Sequence, residues 1–399
     1  MKLHPNIVQG ILECLKLIFE ENKYTDDVLD KAFRNHKQWG SRDRRFIAQS
    51  TYEIVRWWRL LYETAQSLPL DKGIYHNTFI VYLVKSEIEL PEWLSQDINV
   101  EKLKGQLHAF QNIRKIREAI PDWMDEVVVT EIGEAKWEKE LSHLNQPASI
   151  YLRVNTLKTD KTKLITLLGK KEIEVQPIPS EDTSLLLLKR QQLSSMEEYQ
   201  KGLFEVQDIG SQKIAPFLHP QKEEFIIDAC AGGGGKTLHL AALLENKGSI
   251  LAMDVEAKKL SNLQERAQRA GVTIIQTELI TASTLEKHKE SADLLLLDVP
   301  CSGLGVLKRN PDTKWKLTLI EIEKTKVLQA KILSTYPTML KKGGVMVYAT
   351  CSILPSENED QIQRFLRDQK GKFELLEECH LWPSQGGDGY YMARLRKNS

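Results

Sequence analysis

The sequence predicts an α/β fold: a parallel sheet buried on both faces, preceded by a helical region and a small mixed module. Three observations carry this reading. From Glu224 onward, continuous apolar runs alternate with helical patterns, as expected of strands covered by helices on both sides. The first ~120 residues instead place apolar side chains at helical spacing. Between the two lie short strand-like runs bounded by Pro and Gly.

Taken in order, the first segment carries Ile7, Ile11, Leu15 and Ile18 as one apolar stripe, with Leu12 and Phe19 beside it. Near residue 40, WGSRDRRFIAQSTYEIVRWWRLL starts a further helix, with Ser41 as its cap and Phe46, Ser50, Ile54 and Trp57 recurring at helical spacing. Its Arg/Trp-rich face reads as core packing with snorkelling arginines or as a surface turned to RNA. KEIEVQPIP, SLLLLK and GLFEVQD then suggest a small α+β module. Further on, FIIDA is a strand, followed by a glycine loop and a helix from Lys236. SILAMD is the next strand, followed by a helix over Glu256 to Ala270. VTIIQ, DLLLLD and GVMVYAT are further strands, the last two separated by a helical pattern from Leu317 to Leu340. The expected organisation is 1–125 helical, 126–220 linker and small α+β module, and 221–399 the α/β domain. Ligands of such sheets bind at the carboxyl ends of the strands.

Composition narrows the class. The 399 residues are 41% hydrophobic and 28% charged, with a formal net charge of zero. Residues 1–125 are themselves balanced in charge, so the basic excess of a strong non-specific nucleic-acid binder is absent. The opening MKLHPNIVQGILECLKLIFEEN interrupts its apolar residues with charges and is not read as a signal peptide. No apolar run reaches membrane-span length. Cys14, Cys230, Cys301, Cys351 and Cys379 are scattered, giving neither a disulfide framework nor a metal-binding pair. A cytoplasmic, metal-free monomer with reduced thiols is the expectation.

The loop DACAGGGGKT, Asp228 to Thr237, invites comparison with phosphate-binding motifs. A P-loop ending at Gly235-Lys236-Thr237 needs glycine at 230, where this chain has Cys230. The dinucleotide fingerprint also fails, because Thr237 and Leu238 stand where its last glycine would fall. The context is still that of a nucleotide site, since the loop joins a buried strand to a helix N-terminus. The next strand ends in Asp254, where a carboxylate can accept from both hydroxyls of a ribose. Nicotinamide dinucleotide and S-adenosylmethionine fit this pattern equally; a tight turn with a surface acid is the plainer alternative.

Cys301 and Cys351 discriminate further. Cys301 follows DLLLLDVP and Cys351 ends YATC, so both fall at the carboxyl edge of the sheet, beside the glycine loop. Two thiols there suggest thiol chemistry. The segments DVPCSGLGVLKRNPDTKW and YATCSILPSENEDQI closely resemble two motifs of the Sun family of RNA cytosine-5 methyltransferases. FEVQDIGSQ, DACAGGGGKT and GGDGYYMARL resemble family segments in the same order, and YLRVNTLK the module before the catalytic domain. SRDRRFIAQSTYEIVR is similar to the NusB-like domain of bacterial members acting on ribosomal RNA.

The resemblance implies a Rossmann-like methyltransferase domain with a mostly parallel seven-stranded sheet, preceded by an all-helical NusB-like RNA-binding domain. It implies S-adenosylmethionine as cofactor and 5-methylcytosine in RNA, foremost 16S ribosomal RNA, as product. Transfer RNA, or a ribosome-assembly factor with weakened catalysis, are the alternatives. Cys351 is implied as nucleophile, Cys301 as its assistant in proton removal and product release, and Asp298 as partner of the cytosine edge. Lys236 is expected to lower a thiolate pKa or orient the base. DNA cytosine-5 methyltransferases take their nucleophile from a Pro-Cys pair, which here would be Cys301. Cys230, Ala231, Gly232, Gly233, Gly234, Gly235 and Lys236 would face the cofactor, with Asp254 on its ribose, Glu278 on its adenine and Asp298 nearby. The family commonly has Ala-Pro where this chain has Gly232-Gly233, a change expected to loosen the loop and weaken cofactor binding.

Overall fold

The apolar stripe of the first helix, Pro5–Phe19, packs inward: Ile7, Ile11, Leu15 and Ile18 are all buried. The structure, a computed structural model, describes residues 3–69, 72–96, 98–179 and 181–398. It divides into two compact units, one formed by Met1–Gln146 with Leu307–Leu319, the other by Pro147–Val306 with Ile320–Ser399. The expected boundary after residue 125 falls inside the helix Asp122–Ile132. No helix among the described residues is long and apolar enough to cross a membrane.

In the first unit, the helix Ser41–Arg56 is capped by Gly40, not by Ser41. The Asp43 carboxylate accepts from the Gly40 amide at 3.1 Å, so the acid three residues on satisfies the cap residue's own N–H. The buried face of this helix runs through Ile47, Ser50, Thr51, Ile54 and Val55; Phe46 lies at its margin.

The unit is completed by Leu307–Leu319, which belongs to the sequence just after Cys301. Asp312 accepts from the Thr25 amide and hydroxyl at 3.2 and 2.9 Å. Trp315 donates its indole N–H to the Val55 carbonyl at 2.7 Å. Lys314 is buried and donates to the carbonyls of Arg56 and Glu118 and to Asn145 Oδ1 at 3.2, 3.1 and 2.5 Å. Burial, then the neighbouring Arg56, pulls its pKa down to about 7. Lys314→Ala strands three buried acceptors and is expected to cost roughly 2–4 kcal/mol, read as a fall in the urea midpoint. A loss below about 0.5 kcal/mol would show that these bonds do not hold the segment.

The second unit begins with a four-stranded antiparallel sheet, order β2-β3-β1-β4, built from β1 (Ile150–Val154), β2 (Val175–Pro177), β3 (Ser184–Leu187) and β4 (Phe204–Val206). The larger sheet has seven strands: β5 (Phe225–Asp228), β6 (Ser249–Asp254), β7 (Ile275–Leu279), β8 (Ala292–Asp298), β9 (Leu340–Thr350), β10 (Phe373–Leu381) and β11 (Tyr390–Lys397). Their order is β10-β11-β9-β8-β5-β6-β7; only the two pairings of β11 are antiparallel.

The continuous apolar runs sort into two cores by the period-two rule. Ile227, Leu295, Leu297, Met346 and Tyr348 face one layer, while Ile226, Leu294, Leu296, Val347 and Ala349 face the other. The helix expected over 317–340 spans Leu319–Thr335 and gives way to a 3-10 turn, Tyr336–Met339. Pro337, which has no N–H, stands in that turn.

Candidate active site

Strands β8 and β9 are parallel neighbours, with Asp298 opposite Ala349, so the loops that follow them leave the sheet together. Cys301 and Cys351 lie on those loops with their sulfurs 3.2 Å apart, and the Cys351 amide donates to Cys301 Sγ at 3.3 Å. Backbone bonds fix the pair: Gly305 N–H reaches the Cys351 carbonyl at 2.9 Å, and Gly389 N–H reaches the Gly305 carbonyl at 2.8 Å. A Cβ at Gly305 would stand 2.2 Å from the Gly389 oxygen, so only glycine allows this approach.

A buried carboxylate that sequence reading did not single out ties the two loops. Glu357 Oε1 accepts from the Ser302 amide at 2.8 Å and from Gln329 Nε2 at 3.1 Å. Its Oε2 accepts from both the Ser302 and the Ser352 hydroxyls. These serines directly follow the two cysteines, so one side chain sets the separation of both loops. Asn358 braces the loop after β9 itself, donating to the Ser352 carbonyl at 3.1 Å. The only sequence signal is the position of Glu357 inside YATCSILPSENEDQI; its convergence on Ser302 depends on the fold.

Lys236, at the start of the helix Gly235–Leu243, forms an ion pair with Asp298 at 2.5 Å. Burial opposes its charge, but Asp298, with Cys351 and Asp228 close by, leaves its pKa raised, so it remains an ammonium. The hydrogen bond with Cys351, reinforced by burial, pushes the Cys301 thiol well above its ordinary value. The burial and the contact hold the proton on the thiol pair, and either sulfur can be its donor across the 3.2 Å gap. The fold thus gathers Cys301, Cys351, Asp298 and Lys236 at one edge of the sheet.

The glycine loop forms the adjoining wall. The Gly232 amide donates to Asp254 Oδ2 at 3.0 Å, and the Glu256 amide to Oδ1 at 2.9 Å. Each Asp254 oxygen keeps a lone pair for a ribose hydroxyl. Gly232 and Gly234 have φ of 53° and 85°. A Cβ at Gly232 would meet no atom within 4 Å, so this side of the loop can admit a ligand to the backbone. Ala231 N–H bonds the Met253 carbonyl at 3.0 Å, docking the loop on β6. Burial, then the surrounding acids, push the Cys230 thiol well up, and its side chain packs against the core. Glu278, on β7, is held by Lys287 and His288 at 2.8 and 2.7 Å. The hydrogen bonds to Lys287 and then His288 lower its pKa, and each oxygen, with one partner, keeps a lone pair for a further donor.

Asp228 ends β5 beneath the loop and accepts from the Thr237 hydroxyl at 2.7 Å. Burial raises its pKa to about 7 from 3.8. The folded chain binds the extra proton between these values, so this group's contribution falls as pH rises from 3.8 to 7 and is flat above. Asp228→Asn is expected to remove that penalty, roughly 4 kcal/mol at pH 8 and near zero at pH 4. Urea midpoints of native and variant chains should diverge as pH rises; parallel curves would refute the assignment.

Residues 215–396 match the family model described as 16S rRNA methyltransferase RsmB/F, and residues 120–194 match one described as a Methyltr_RsmF/B-like, ferredoxin-like domain. A probable ribosomal RNA small subunit methyltransferase B of Synechocystis sp. is 30% identical, over 96% of this chain and 97% of that one. A ribosomal RNA small subunit methyltransferase B of Pasteurella multocida is 35% identical over 75% of this chain and 67% of its own length. Among solved structures, PH0851 shares the fold across all of both chains, with a TM-score of 0.81 at 24% identity. NSun6 from Pyrococcus horikoshii, solved with the S-adenosylmethionine analogue SFG, has a TM-score of 0.65 and 25% identity, covering 71% of this chain and 99% of that one.

Proposed function

The chain belongs to the 16S rRNA methyltransferase RsmB/F family, and from that premise we propose that it methylates carbon 5 of a cytosine in small-subunit ribosomal RNA through a covalent adduct on Cys351. The observation that carries this reading is the 3.2 Å pair of thiols beside the Lys236–Asp298 ion pair. The glycine loop and Asp254 hold S-adenosylmethionine, which when bound supplies an electrophilic methyl group on a sulfonium.

Carbon 5 of cytosine is a weak nucleophile. The Cys351 thiolate adds to carbon 6, and the ring becomes an enamine whose carbon 5 attacks the methyl carbon. Loss of the carbon 5 proton and cleavage of the S–C6 bond then restore the ring. Asp298 hydrogen-bonds the cytosine edge near N3 and supports charge during addition. Lys236, an ammonium close to Cys351, favours the thiolate electrostatically. Cys301 assists proton removal and release: it gives its proton to Cys351 Sγ as the S–C6 bond breaks, and its own sulfur takes the carbon 5 proton, so both thiols are restored and one proton is finally lost to solvent. The cytosine must leave its stack to reach this edge, so single-stranded or opened RNA is the substrate form.

The test uses small-subunit RNA from cells lacking the gene, incubated with the purified chain and labelled S-adenosylmethionine. Bisulfite sequencing should then find one newly protected cytosine. Transfer of label to a base other than cytosine, or to none, would overturn the proposal.

A further inference from the structure

Four successive glycines leave residues 232–235 without side chains to stiffen them, yet two carbonyls of the loop are gripped from outside. Gly235 O accepts from Arg153 Nη1 at 2.6 Å, and Gly233 O accepts from Arg266 Nη1 at 2.5 Å. Arg153 comes from β1 and also bonds the Gln207 side chain. Arg266 comes from the helix Ala257–Ala270, which follows the strand ending in Asp254.

The Arg266 fork is itself held. Its Nη2 pairs with Glu205 on β4 at 2.8 Å, a carboxylate only 5% exposed that also takes Arg269 at 2.5 Å. The guanidinium thus lies between a fixed acid and the Gly233 carbonyl. A Cβ at Gly233 would meet one neighbour within 4 Å, Arg266 Nη1 at 3.3 Å, so the guanidinium lies where a side chain on the loop would be. Gly232 is held separately, its amide donating to Asp254. A charge-assisted bond to a carbonyl restrains a glycine backbone that would otherwise lose much freedom on binding a ligand.

We propose that Arg266 is a positioning residue for S-adenosylmethionine, holding Gly233 from outside so that the bare loop presents a preset backbone to the cofactor. The inference rests on the methyltransferase reading and adds to it a residue that never touches the ligand. It also reverses the expectation that the extra glycines weaken binding, because the missing stiffness is supplied by a helix and a strand.

The experiment is calorimetric titration of S-adenosylmethionine into the full chain and its variants, with hydrogen exchange of the loop amides as a second readout. Arg266→Ala should raise Kd about 5- to 20-fold and speed exchange at residues 232–235. Arg269→Ala removes the other cation from Glu205 without touching Gly233, and should change Kd less than twofold. Gly233→Pro in the Arg266→Ala chain should bring Kd back to within about twofold of native, since a proline restrains the same backbone. No binding by the native chain overturns the methyltransferase reading and this inference with it. Native binding with an unchanged Arg266→Ala Kd overturns the inference alone. An equal loss in Arg269→Ala, or no recovery with Gly233→Pro, overturns it too, by tracing the effect to Glu205 or to something other than loop stiffness.

Discussion

Cys351→Ala is expected to abolish methyl transfer to RNA, a fall on the order of 10⁴-fold or more, because in the proposed mechanism Cys351 makes the bond to carbon 6. Cys301→Ala is expected to behave differently. The proposed nucleophile remains, so the adduct forms, but the thiol 3.2 Å from Cys351 Sγ is gone and departure of the thiolate slows. A covalent protein–RNA species should accumulate and survive denaturing electrophoresis. The geometry is nearly symmetrical, two sulfurs 3.2 Å apart, so the trapping experiment and not the distance separates nucleophile from assistant. If the trapped species appears in Cys351→Ala and not in Cys301→Ala, the roles are reversed, as in the DNA enzymes whose nucleophile follows proline.

Glu357→Ala carries the next largest effect. It leaves the Ser302 amide, the Ser302 and Ser352 hydroxyls and the Gln329 amide without their acceptor in a fully buried place. A loss of about 3–5 kcal/mol in stability is expected, with kcat down roughly 100-fold as the loops lose their common tie. Glu357→Gln keeps the shape and one acceptor and should cost only about 1–2 kcal/mol. Chemical denaturation and single-turnover kinetics give the two numbers separately. If the alanine variant keeps kcat within twofold of native, the carboxylate holds the fold and not the site.

The parts legible in the sequence were those with local causes. The stripe from Ile7 to Ile18 and the runs FIIDA, SILAMD and DLLLLD declare their own burial, and strand ends place Cys301 and Cys351 on one edge. Gly40 took the cap from Ser41 because capping is decided by backbone angles and by the reach of Asp43. Glu357 and Arg266 were missed for a different reason. Each acts through a residue 55 or 33 positions away, Ser302 and Gly233, and only the sheet order brings them together. Glu278 lies on the strand next to Asp254, as a motif reading has it, and its partners Lys287 and His288 come from the helix and turn that follow, which the motif does not show.

The helical unit has a consequence for how the chain comes off the ribosome. Its first 146 residues emerge early, but the segment supplying Asp312, Lys314 and Trp315 follows about 160 residues later. At roughly 5–20 residues per second, that is some 8–30 s during which Thr25, Val55 and Asn145 wait for their partners. The nascent helices must persist through that interval as an incomplete bundle. The same residues that close the bundle also lock in the chain just beyond Cys301, so the amino-terminal unit is finished only after the first half of the thiol pair has been made.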